Sequence, residues 1–280
     1  MIKSVKLVTL VALSVLATSA FAQEGAAAGG NEGGTVALVD RSTVLPKGTG
    51  EVGLDLWIDL SKGNAGKAFY LSGNGQGSVL AGVGGMVGFD RYPGISFGYG
   101  VIDNLQLGFS APVYAYTKGG QANAGFNIFG TYQFIDFLAG ELQIQLPSFR
   151  NFGDYRAQFV IGFPFKYAIS KGFFALHARP DFIIWLPKKD TIGMGKSLWF
   201  SIFFDVGATF NFTKEFFADL SFGIGKVLTP SGFDPTIPLS ITLGYTVIPQ
   251  LDLGLFFGFN DLKGAKADAR YMGLQAAYRF

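Results

Sequence analysis

The sequence predicts an all-β fold: a transmembrane, antiparallel, up-and-down β-barrel of about twelve strands, with short periplasmic turns and longer extracellular loops. Three observations predict it. The 280 residues are 49% hydrophobic with a mean hydropathy of +0.33, and 40 Gly and 30 Phe exceed the usage of ordinary soluble domains. Beyond the first two dozen residues no apolar run approaches the roughly 18 residues that a spanning helix needs. A chain that meets hydrocarbon without such helices must pair every backbone group between strands, and only a closed barrel does so. Finally, one outline recurs five times: YGVIDNLQLGF from Tyr99, YQFIDFLAGEL from Tyr132, YAISKGFFALH from Tyr167, FNFTKEFFADL from Phe210 and YTVIPQLDLGL from Tyr245. Each copy is an aromatic-led alternating stretch, a tight turn, and a second alternating stretch.

Residues 1–22 read as a secretory signal peptide. Lys3 and Lys6 precede the apolar run LVTLVALSVLA, and Ala20-Phe21-Ala22 supplies the small-x-small cleavage site, so the mature chain begins at Gln23. Losing two lysines from a total of 22 basic and 20 acidic residues leaves no net charge, so the basic excess of a nucleic-acid binder is missing. There is no cysteine, and hence no disulfide or thiolate metal site. Residues 23–50 form a periplasmic low-complexity lead: QEGAAAGGNEGG is flexible in composition, and VALVDRSTVLPKGTG is a turn-rich approach to the barrel.

The barrel occupies 51–280. Alternation places strands near 51–60, 92–102, 105–116, 124–135, 138–149, 155–169, 172–186, 197–212, 216–226, 236–248, 251–260 and 269–280. The clearest is 197–212, where Leu198, Phe200, Ile202, Phe204, Val206 and Phe210 alternate with Ser201, Asp205, Gly207, Thr209 and Asn211. The small, neutral character of the polar side suits a lumen better than the wet face of a soluble sandwich. Five short turns and two terminal strands give twelve; fourteen is the alternative, if 61–78 hides another strand. The leading aromatics Tyr99, Tyr132, Tyr167, Phe210 and Tyr245 then share one height, as an interfacial girdle.

Parity turns a set of charged residues inward, and these are the candidate pore-lining residues: Asp55 and Asp59 on the first strand, Glu141 on the fifth, Arg156 and Lys166 on the sixth, His177, Arg179 and Asp181 on the seventh, then Asp205 and Asp219. A charge at mid-membrane is costly against lipid, so these residues face water or one another. Two arrangements satisfy that requirement, a narrow aqueous pore between charged walls or a filled barrel locked by ion pairs. Lumen-side glycines such as Gly98, Gly108, Gly207, Gly225, Gly244 and Gly258 leave room and favour the pore.

Catalytic and metal signatures are poor. His177 is the sole histidine, no GxSxG elbow is present, and one histidine does not make an ordinary zinc site. No catalytic residue, metal or cofactor is expected.

The C-terminal LQAAYRF, with Leu274, Ala276, Tyr278 and Phe280 on one face, together with VIDNLQLG and LPKGTGEVGLDL, resembles the Gram-negative outer-membrane β-barrel superfamily. The resemblance implies export through the periplasm to the outer membrane, contact with outer-membrane lipid, and Tyr278 and Phe280 as a signal read by the barrel-assembly machinery. The serine that outer-membrane acyl hydrolases carry two residues beyond their histidine is absent, the chain reading His177-Ala178-Arg179. The leading expectation is a narrow passive channel for small hydrophilic solutes. The alternative is a structural barrel within an envelope assembly for secretion, adhesion or surface motility, with other envelope proteins as partners.

Overall fold

The computed structural model describes residues 35–59, 69–72, 95–111, 115–116, 126–146, 155–187, 199–228, 237–259, 262–263 and 270–280. The expected signal peptide, residues 23–34 and most of the outer loops lie outside them.

The strands are β1 (Gly50–Asp59), β2 (Phe69–Ser72), β3 (Ile95–Ile102), β4 (Leu105–Ala111), β5 (Ala115–Tyr116), β6 (Phe126–Ile135), β7 (Leu138–Leu146), β8 (Tyr155–Gly162), β9 (Phe165–Ser170), β10 (Phe174–Pro187), β11 (Trp199–Asn211), β12 (Phe216–Leu228), β13 (Leu239–Ile248), β14 (Leu251–Phe259) and β15 (Arg270–Arg279). Each barrel strand pairs antiparallel with its neighbours in sequence, and β15 returns to pair with β1 from Glu51↔Arg279 to Asp59↔Tyr271. The barrel is closed and has twelve strands, β8 and β9 forming one interrupted strand and β2 with β5 adding a short ribbon outside the circuit.

Alternation builds this wall. Along β13, Ser240, Thr242, Gly244 and Thr246 are buried, while Ile241, Leu243, Tyr245 and Val247 are exposed. Along β11, Ser201, Phe203, Asp205 and Thr209 are buried against exposed Phe200, Ile202, Phe204 and Val206. Exposed large hydrophobics cover the outer face of nearly every strand, a surface that belongs against acyl chains. The fold is that of an outer-membrane β-barrel, and the fourteen-strand alternative falls because the only strand described within 61–78 is β2, which lies off the circuit.

Two features depart from the sequence-based expectations. The strand expected over 155–169 breaks at Phe163-Pro164, because proline has no N–H to give the ladder; β8 and β9 then pair with successive parts of β10. The second departure is larger. Residues 36–46, expected to approach the barrel from outside, run within it.

A lumen filled from one end and charged at its middle

Val36–Pro46 enters the barrel at the end carrying the short turns. Leu38–Asp40 makes one 3-10 turn, with Leu38 and Val39 buried. Leu38 packs on Phe217 and Ala277, and Ala37 and Val39 pack on Ala175. The wall supplies polar anchors beside the turns: Asn211 accepts from the Val39 backbone N–H at 3.0 Å, Gln106 accepts from Leu45 N–H at 3.0 Å, and Gly172 N–H donates to Asp40 at 3.0 Å. Lys166 Nζ donates to the carbonyls of Leu38 (2.7 Å) and Arg41 (2.8 Å), which no strand satisfies.

Arg41 provides the strongest anchor. Its Nη1 lies 2.5 Å from Asp252 Oδ2 and its Nη2 reaches Thr246 Oγ1 at 3.1 Å, while Thr246 donates to Asp252 at 2.6 Å. Asp252 also pairs with Arg279, whose Nε lies 3.0 Å from Glu51 Oε2. Two guanidinium groups thus meet two carboxylates. Arg41 lies outside the spanning strands, and burial pushes its pKa down only to about 10, so it stays charged at neutral pH. The segment leaves the lumen through Pro46–Thr49, where Gly48 has φ +79° and bonds to the backbone of Gly100. A Cβ on Gly100 would collide with the Pro46 carbonyl, so only glycine lets the two backbones pass.

Farther in, Arg179 is shared by two carboxylates. Its Nε lies 2.8 Å from Asp181 Oδ1 and its Nη2 lies 2.8 Å from Glu141 Oε1. Thr131 and Gln143 also donate to Glu141. His177 Nε2 lies 3.0 Å from Asp219 Oδ2, which accepts from Thr209 at 2.6 Å. Asp205 is opposite Arg179 in the β10–β11 register, but Arg179 is turned to the other pair. Asp205 is 2% exposed and neither of its oxygens has a hydrogen-bond partner.

The lumen-side glycines do not leave the space expected of them. A Cβ at Gly108 would strike the Phe129 ring, at Gly207 the His177 ring, at Gly225 the Phe203 ring, at Gly244 the Phe217 ring, and at Gly258 Tyr271. Each glycine therefore seats a large side chain from the adjoining strand, which lies along the wall instead of across the bore.

The expected site residues fall as follows. Glu141, Arg179, Asp205 and Asp219 are buried in the lumen, and Lys166, His177 and Asp181 are partly buried there. Lys166 serves the N-terminal segment, and Arg179 joins Glu141 and Asp181 instead of facing Asp205. Asp55 is half-buried and has a partner of its own. The side chains of Asp59 and Arg156 lie outside the described residues. Tyr99, Tyr132, Tyr167 and Tyr245 are exposed on the outer face near the turns, whereas Phe210 is half-covered and stacks on Phe174 at 4.7 Å. Tyr278 stacks on Phe280 at 6.4 Å, and the Phe280 backbone bonds reciprocally to Gly50 where the barrel closes. Sequence reasoning missed Arg41 and Arg279; for Arg279 the signal was available, since its parity is opposite to that of outward Tyr278 and Phe280.

No family model matches the chain, and no curated protein matches it. Solved structures do match. The COG4313 outer membrane channel from Pseudomonas putida F1 aligns with a TM-score of 0.52 at 11% identity, over 85% of this chain and 98% of that one. A structure described as KdgM porin aligns with a TM-score of 0.50 at 9% identity, over 82% of this chain and 99% of that one. At such identity the likeness is one of fold, an outer-membrane barrel whose architecture serves channels in both cases.

Proposed function

We propose that the protein is a narrow channel for small hydrophilic solutes, constricted at its turn end by its own residues 36–46. The observation that carries this reading is the chemistry of the constriction. The segment is anchored largely through Arg41, Asp40 and backbone groups to Asp252, Thr246, Asn211, Gln106 and Lys166. Water can satisfy these polar groups when the segment leaves, so its withdrawal costs chiefly the apolar contacts of Ala37, Leu38 and Val39 with the wall. Short turns face the periplasm in bacterial barrels, which puts the constriction at the periplasmic mouth. The channel architecture of the matched barrels agrees with the reading, and no catalytic step is part of it.

Planar-bilayer recording tests it. The mature chain should give small conductance steps, and a variant lacking residues 36–46 should give severalfold larger ones while keeping the gel-mobility shift of a folded barrel. Absence of channels from both would overturn the proposal in favour of the second reading, a structural barrel of an envelope assembly. That reading is favoured by the almost complete burial of Glu51, Asp219 and Asp252, which suits a locked interior.

A further inference from the structure

We infer that Asp205 is a cation-binding site midway through the barrel, which takes a small monovalent cation and sets the ion preference of the pathway; the inference rests on the channel reading. Asp205 is the central residue of β11, six positions from either end. Its neighbours Phe204 and Val206 face outward and are exposed, so its carboxylate points into the lumen. Both oxygens are without a hydrogen-bond partner although the residue is 98% buried, its exposure being 2%. A buried carboxylate in that state needs a proton or a counter-charge.

No cation of the described residues is hydrogen-bonded to it. Among the described residues, Glu141, Asp181, Asp205 and Asp219 converge on this level with Arg179 and His177 as the basic groups. Arg179 is engaged by Asp181 and Glu141, and His177 by Asp219. Lys166 lies within electrostatic reach of Asp219, and Arg179 reaches Asp205 only at longer range than it does Asp181 and Glu141, so Asp205 is the carboxylate at this level without a hydrogen-bonded cation. Opposite Asp205 on β12 stands Gly223, with no side chain to fill the gap, and diagonal to it is Ser221, hydrogen-bonded to Ser240 at 2.7 Å. A single carboxylate matches the charge of one monovalent cation, which it would hold loosely. Weak binding at one site is also what conduction requires.

The test is the reversal potential of the mature protein in a bilayer across a KCl gradient. Wild type should favour K+ over Cl−. Asp205→Asn should move the permeability ratio severalfold toward unity, and Asp205→Glu should keep the wild-type sign. Asp205→Ser serves as a second neutral variant should the asparagine chain not fold. Equal ratios in wild type and a neutral variant would overturn the proposal, showing Asp205 to be protonated or idle, as would a chloride-preferring wild type. Currents in those cases leave the channel reading standing. If neither wild type nor the variant lacking residues 36–46 conducts, the channel reading fails first and takes the site with it.

Discussion

Two levels of the described lumen solve one electrostatic problem in different ways. Near the turns, Glu51 and Asp252 are matched by Arg279 and by Arg41, a residue brought in by the N-terminal segment. At mid-height, Arg179 is divided between Glu141 and Asp181 while Asp205 goes unmatched. The same kind of wall is completed by the chain itself at one level and left incomplete at the other. Burying a charge is tolerable where the protein brings the partner, and where it does not, the carboxylate needs a proton or a cation from elsewhere.

The sharpest way to break this contrast is Arg179→Glu. It removes the only cation shared by Glu141 and Asp181 and adds an acid beside Asp205, so loss of the buried pairing should cost about 3–5 kcal/mol. Thermal or urea unfolding in detergent reads this, and an unchanged midpoint would mean that the middle of the lumen is wet enough to screen its charges.

Gly100→Val attacks the other level. The added side chain collides with the Pro46 carbonyl, and overpacking of this kind costs up to about 3 kcal/mol. The segment should leave the lumen, with larger conductance and a barrel that still shows its folded gel mobility. Unchanged conductance with normal folding would show that residues 36–46 do not limit the pathway.

Arg41→Ala is gentler. It deletes charge-assisted bonds to Asp252 and Thr246, but Arg279 still answers Asp252, so the loss should be about 2 kcal/mol. Protease accessibility of residues 36–46 should rise, and the K+/Cl− ratio should barely move if selectivity resides at Asp205.

Phe280→Ala, which leaves the two backbone bonds to Gly50 in place, should have the smallest effect on the isolated protein. Its ring is already 39% exposed, so about 1 kcal/mol of apolar contact is lost. Outer-membrane levels in cells should nevertheless fall, if the C-terminal aromatic is read during assembly. Normal levels would show that the seam matters only as structure.

Most of the barrel was legible because its signal is local. The alternation of Ser201 to Asn211 or of Ile237 to Val247 exists because each strand separates lipid from lumen, and parity alone places Asp205 and Asp219 inside. What parity does not contain is a partner. Arg179 is buried, and its engagement with Glu141 depends on β7, two strands away around the wall. The glycines misled for a related reason: Gly225 read by itself is a gap, but in register with Phe203 it is a seat. Residues 36–46 were the least legible. Leu38, Val39, Val44 and Leu45 are apolar without periodicity, and the anchors lie far off in sequence, Asn211 being 172 residues from Val39. Pro164, by contrast, was a visible warning against one unbroken strand over 155–169.

The attachment of the N-terminal segment has a mechanical consequence. Interstrand pairing of β1 begins at Gly50, and only Lys47, Gly48 and Thr49 join that first rung to Pro46 at the end of the segment. Gly48 holds a left-handed backbone with nothing within 4 Å of where a Cβ would stand. Thr49 and Gly48 are tied to Gly100 by two backbone bonds. The segment is thus a tethered stopper on a three-residue leash, fixed beside the seam where β1 meets β15. Withdrawing it would shear no rung of the barrel and open no edge, so the segment and the hoop that contains it are mechanically separate.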